Sequence, residues 1–149
     1  MIDELRANIR FKYKPDFDFT TVADVPFTAP SKPLTRIALI STAGLHLDDQ
    51  EPFDRGTPAG DSSFRRIPAD ADLTRLRAWW DTELTQPSSQ DLNCAFPLAL
   101  LREERELAPA HYSFSGAIPE PGPLLEVSGP AVARELKEEG ADAVLIAPS

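Results

Sequence analysis

Two histidines and one cysteine carry most of the reactive chemistry in this sequence. His46 closes the string Ser41-Thr42-Ala43-Gly44-Leu45-His46, directly after an apolar run. Small residues there let a ligand or another backbone approach closely. Imidazole titrates near neutrality, so a His at the carboxyl end of a strand suits acid–base work or binding. The plainer alternative is a loop histidine bonded to backbone. His111 precedes Tyr112-Ser113-Phe114 and reads as a structural histidine bonded across a sheet, at the strand end away from the ligand edge. Both histidines plus an Asp would supply the residue types of a metal site, but neither has a partner at ligand spacing, so no metal is expected. Cys94, in Asp91-Leu92-Asn93-Cys94-Ala95-Phe96-Pro97, reads as a small buried hydrophobe. Its alternative is a thiolate activated just ahead of a helix. A lone cysteine excludes an intrachain disulfide framework and an all-Cys zinc site. Asp48, Asp49, Glu51, Asp54 and Asp61 read as a solvated acidic loop, without the spacing of a calcium loop. The chain has no Gly-rich phosphate loop and no G-x-S-x-G motif.

Positioning these residues requires a scaffold. Ile37-Ala38-Leu39-Ile40 and Ala143-Val144-Leu145-Ile146-Ala147 are unbroken apolar runs, the mark of strands buried on both faces of a parallel sheet. His111–Phe114 reads as a further short strand. Asp70 or Asp72 can cap a helix from Leu73, with Leu76 and Trp80 on its inner face. Pro97 suits the first turn of a helix running to about Leu107, with Pro109 beyond it. Gly129-Pro130 opens another helix, with Val132 and Leu136 inward and Gly140 as its stop. Trp79 and Trp80 are adjacent, so one of them is expected to face a partner. Strands alternating with helices predict an α/β fold, a Rossmann-like layered arrangement with a mainly parallel sheet over residues 34–149. Residues 1–33 hold a proline-rich stretch with Phe17, Phe19 and Phe27, expected to be an extended arm. In open α/β sheets ligands bind outside the carboxyl ends of the strands. The last strand leads to that edge, and the domain reads as incomplete there.

Composition narrows the function. The chain has 149 residues and a net charge of -9, with 42% hydrophobic residues. One globular domain is the natural expectation. So acidic a chain repels phosphate polyanions, which disfavours nucleic acid and anionic lipid as partners. No apolar run approaches the ~18 residues that span a bilayer, and the N-terminal residues lack the apolar core of a secretory signal. A cytoplasmic protein is expected.

Several strings, in order, resemble the selenoprotein B family of glycine, sarcosine, betaine and D-proline reductases. They are Arg36–His46, Pro52-Phe53, Gly60–Pro68, Asp91–Leu98, His111–Gly116 and Leu136–Leu145. The resemblance covers roughly residues 33–147. It implies reductive cleavage of a C–N bond in a small amino-acid-like substrate, with thiols as electron donors. The family's nucleophile is a selenocysteine, or a cysteine in its place, just after the strand that resembles Ala143–Ala147. That residue is expected beyond the C-terminus of this chain, so the chain itself is expected to be inactive, with no other cofactor. By the same resemblance, His46 and His111 are the candidate catalytic-site residues. Thr42, Gly44, His46, Asn93 and Ser113 are the candidate substrate-binding residues. Other reductase subunits, or further copies of the chain, are the expected partners. A short non-catalytic paralogue acting as a binding module is the alternative.

Overall fold

A computed structural model describes residues 29–54, 56–78, 91–116 and 118–148. The chain divides into units Met1–Ser31 and Lys32–Ser149, and every element below lies in the second. The proline-rich arm and the Trp79-Trp80 pair fall outside the described residues, apart from the last residues of the arm.

The principal sheet is built on β1 (Arg36–Ser41), which runs parallel to all three strands beside it. On one side lies β7 (Ala143–Ala147), paired along its full length. On the other side β5 (Glu106–Leu107) pairs with the start of β1 and β6 (Ala110–Phe114) with its end. β3 (Phe64–Pro68) completes the sheet, antiparallel to β6. A separate antiparallel ribbon joins β2 (Leu45–Leu47) to β4 (Leu76–Ala78). The expected α/β class with a mostly parallel sheet is what the chain adopts.

Alternation along the strands sorts residues into one core on each face of the sheet. Leu39, Leu45, Ile67 and Phe96 fill the first, under α1 (Leu98–Glu104). Ala38, Tyr112, Phe114, Val132 and Leu136 fill the second, under α2 (Gly129–Glu138). Within the second, the Tyr112 hydroxyl donates to Glu135 at 2.9 Å, and Glu139 pairs with Arg66 at 2.5 Å. Burial, followed by that acidic partner, pushes the Tyr112 phenol well above its usual range.

Several local expectations are corrected. No helix starts at Leu73: Asp72 caps a single 3₁₀ turn, Leu73–Arg75, by accepting the Thr74 N–H at 3.0 Å. Leu76–Ala78 then pairs with β2, because cross-strand bonds to Leu45–Leu47 outweigh the helical spacing of the leucines. The helix after Pro97 stops at Glu104, since Glu106 and Leu107 join β1. The helix from Gly129 forms as expected, with Val132 and Leu136 buried and Gly140 at φ 73 beyond its end. It is preceded by a π-helical turn, Leu124–Ser128, whose closing bond runs from the Gly129 N–H to Leu124. The wider turn precedes Pro130, which has no N–H to donate. The acidic 48–61 stretch is not merely solvated: Arg75 bridges Asp48 and Asp49 at 2.8 Å each, tying β2 to β4. No helix among the described residues is long and apolar enough to cross a membrane.

Candidate functional site

The carboxyl ends of β1, β6 and β7 meet at one edge of the sheet. The chain leaves β1 at Ser41 and turns into β2 through Thr42, Ala43 and Gly44. Each backbone N–H of this turn has a partner. Thr42 donates to the Ala147 carbonyl at 3.3 Å and Gly44 to Phe114 at 2.9 Å. Ala43 donates to the Ser41 hydroxyl at 3.1 Å, and Leu45 donates to the Ser113 hydroxyl at 2.7 Å. Gly44 sits at φ 62, a conformation that side chains with a Cβ resist. The Ser41 hydroxyl in turn donates to the Ala95 carbonyl at 2.8 Å. The turn is therefore held by β6, by β7 and by the segment that follows Asn93.

The candidate residues occupy distinct places in this arrangement. Thr42 and Gly44 form the turn itself, Thr42 half-buried and Gly44 buried. Ser113 is fully buried in β6 and acts on the turn from beneath, as the acceptor for Leu45. His46 is not in a loop: it is the middle residue of β2, directly opposite Arg77. Leu45 and Leu47 on either side of it enter the core, and His46 itself is half-buried. Asn93 lies in a 3₁₀ turn, Leu92–Cys94, where its backbone N–H and its side-chain amide both donate to Asp91 at 2.9 Å. Cys94 is exposed, which corrects the expectation of burial. The Asp91-capped turn directs Cys94 outward while Ala95 and Phe96 enter the core.

His111 lies inboard of the edge. Between β5 and β6 the register against β1 slips by two residues, with Ile37 opposite Leu107 but Ile40 opposite Tyr112, and at the slip the Leu39 N–H meets a side chain rather than a backbone carbonyl. The His111 Nδ1 takes the carbonyl's place, accepting that N–H at 3.0 Å. The ring is fully buried, with the edge of Phe96 against it at 6.3 Å between centroids. Burial, reinforced by the Arg102 charge, pulls its pKa down to about 4. His111 is neutral at neutral pH, and with Nδ1 accepting, the proton resides on Nε2. That Nε2 has no hydrogen-bond partner.

Thr42, Gly44 and Ser113 are thus in one bonded cluster, and Asn93 lies two residues from the Ala95 carbonyl that Ser41 holds. His46 follows the cluster on β2, and His111 is separated from it by one full strand repeat. Three further serines are buried, Ser41, Ser115 and Ser128, and none of them is among the candidate residues. The signal for Ser115 is the polar alternation His111-x-Ser113-x-Ser115, which continues one face of β6 just past its end. Ser115 forms an isolated bridge to Ala43, and its buried hydroxyl has no partner. Among the described residues, no group of His, Cys, Asp and Glu is arranged to hold a metal.

No family model matches the chain, and no solved structure matches it. Among curated proteins, it is similar to the D-proline reductase subunit gamma of Acetoanaerobium sticklandii, 35% identical over 127 residues. The match covers 81% of this chain and 51% of that subunit. This α/β chain is therefore similar in sequence to a reductase subunit and spans about half of its length.

Proposed function

We propose that this chain is the substrate-edge portion of a reductase of the glycine, sarcosine, betaine and D-proline type, a selenoprotein B relative. The similarity to a D-proline reductase subunit supports the class. The observation that carries the reading is the joined carboxyl edge of β1, β6 and β7, fastened by the bond from Thr42 N–H to the Ala147 carbonyl. A residue following β7 would emerge beside Thr42, where ligands of parallel sheets bind. The nucleophile of the reaction belongs there, as a selenocysteine or cysteine that the described residues do not supply. A selenolate or low-pKa thiolate is ionised and nucleophilic at neutral pH.

This chain's own residues would bind and orient. Gly44 lets the substrate come close to backbone, while the Thr42 hydroxyl and the His46 imidazole address its polar groups. Ser113 and Asn93 keep the turn and the 91–95 segment in shape. His111, neutral and inboard, supports β1 at Leu39. The overall reaction breaks one C–N bond of the substrate and oxidises two thiols to a disulfide. The two electrons and two protons appear as new C–H and N–H bonds. The substrate is a small amino acid or N-substituted amino acid, the partners are other reductase subunits, and the compartment is the cytoplasm.

The test is turnover of D-proline, glycine, sarcosine and betaine with a dithiol as reductant. The chain alone turns over none of them. Joined to the nucleophile-bearing part of a reductase subunit, it turns over one. Robust turnover by the chain alone refutes the missing nucleophile. Failure of every joined form to cleave any of the four refutes the class. A second reading, a binding module without catalysis, draws on a different surface. Leu125 and Val127 are exposed beside a mostly apolar cavity of about 390 Å³ between Phe64 and the π-helical turn. Binding of a partner protein by a chain that no nucleophile-bearing segment activates would favour it.

A further inference from the structure

The sequence of β7 belongs to a strand in the middle of a sheet, and its surroundings do not match. Val144, Leu145 and Ile146 are 41%, 43% and 61% exposed. Register with β1 puts Val144 and Ile146 on the face of Ala38 and Ile40, and Leu145 on the face of Leu39. Large apolar side chains are therefore bare on both faces of one strand. Among the described residues β7 pairs with β1 alone. The bond from Thr42 N–H to the Ala147 carbonyl turns the odd-numbered backbone groups of β7 toward β1. Alternation then points the N–H and C=O of Val144 and Ile146 at the open edge. Natural edge strands are protected by Lys, Pro, bulges or inward charges, and Ala143–Ala147 contains none of these.

We propose that the outer edge of β7 is the docking surface for the polypeptide corresponding to the half of the reductase subunit that this chain does not match, joined to it or separate. This rests on the functional reading above. The occupant follows from two observations together. The similar subunit is about twice as long as the stretch it shares with this chain. Among the described residues both faces of β7 are only partly covered and its edge is unpaired, so the occupant must bring a strand and something to lie over it. A βα unit does that, adding a parallel strand beyond β7 and laying its helix on the exposed apolar face. A second copy pairing edge to edge through β7 would satisfy the backbone and leave the faces bare.

The test uses hydrogen exchange and mass, so its outcome is independent of turnover. The full chain is prepared alone and co-expressed with the unmatched half of the A. sticklandii subunit. The expected result is a one-to-one complex in which the Val144 and Ile146 amides exchange at least tenfold more slowly than in the chain alone. Ile146→Lys abolishes the complex, while Leu125→Lys, an exposed apolar position on another element, leaves it intact. Three outcomes overturn the proposal. One is a discrete dimer of the chain alone that Ile146→Lys dissolves, which assigns the edge to a second copy. Another is a complex in which the Val144 and Ile146 amides still exchange freely. The third is no complex of the separate parts together with free exchange of both amides in the covalently joined chain.

Discussion

Replacing His111 by Gln removes the only histidine proton equilibrium in the core and keeps an amide oxygen that can accept a hydrogen bond. The folded protein holds His111 at a pKa of about 4, against 6.5 for an unperturbed imidazole, chiefly because burial disfavours the cation. Between those values the unfolded chain binds the extra proton and the folded chain does not. Stability from this group is therefore complete above about pH 6.5 and is lost as pH falls toward 4. Carrying the two values through the linkage relation gives a loss of about 2 kcal/mol between pH 7 and pH 5. Protonation of Nδ1 would also remove the acceptor of the Leu39 N–H in the middle of β1. The assay is urea unfolding of the parent and His111→Gln chains at both pH values, comparing each protein with itself. Any fixed packing penalty of the substitution cancels in that comparison. The parent loses about 2 kcal/mol more than the variant over the interval. Equal losses in the two proteins would show that His111 titrates normally, and the account of the buried acceptor would fail.

Other substitutions probe the remaining supports. Ser113→Ala leaves the Leu45 N–H buried without its acceptor and lowers unfolding stability by ~1–3 kcal/mol, whereas an unchanged urea midpoint would mean that the turn does not depend on β6. Gly129→Ala drives a Cβ to 2.8 Å from the Leu124 carbonyl oxygen, so the π-helical turn must shift at a cost of ~1–3 kcal/mol, read as a lower Tm. Cys94 is exposed, so it reacts fully with an aromatic disulfide reagent in the folded chain, without denaturant. Retarded labelling that urea relieves would contradict its outward placement.

Much of the fold was legible because burial leaves a simple pattern. The run Ile37–Ile40 signals a strand covered on both faces, and β1 is that strand, with Ala38 and Leu39 each in a different core. Pro130, Val132, Leu136 and Gly140 together specify α2, since start, inner face and stop all agree. Leu73–Trp80 misled because its leucines fit helical spacing, while the deciding contacts come from β2, far away in sequence. Glu106 and Leu107 were lost to the preceding helix for the same reason. At the candidate site, sequence located the turn through its small residues and its glycine. It did not reveal that Ser113 works from below the turn or that His46 lies within a strand. The first depends on the meeting of β1, β2 and β6 and the second on β2 pairing with β4, which no local spacing encodes. Cys94 eluded the reading because apolar neighbours suggest burial, whereas the Asp91 cap sets its direction.

The saturated turn after β1 separates the frame of the edge from whatever lies against it. Its four consecutive N–H groups, Thr42 to Leu45, are all occupied within the chain. The backbone there keeps its shape whatever lies against it, and has no donors left over for a ligand. On the proposed function, recognition at this edge would fall to side chains such as Thr42 and His46 rather than to the backbone. A change in the molecule accepted would then come from side-chain substitutions at those positions, not from a rebuilt backbone. Gly44, at φ 62, and Ser113, the acceptor for the Leu45 N–H, are the residues that set the frame.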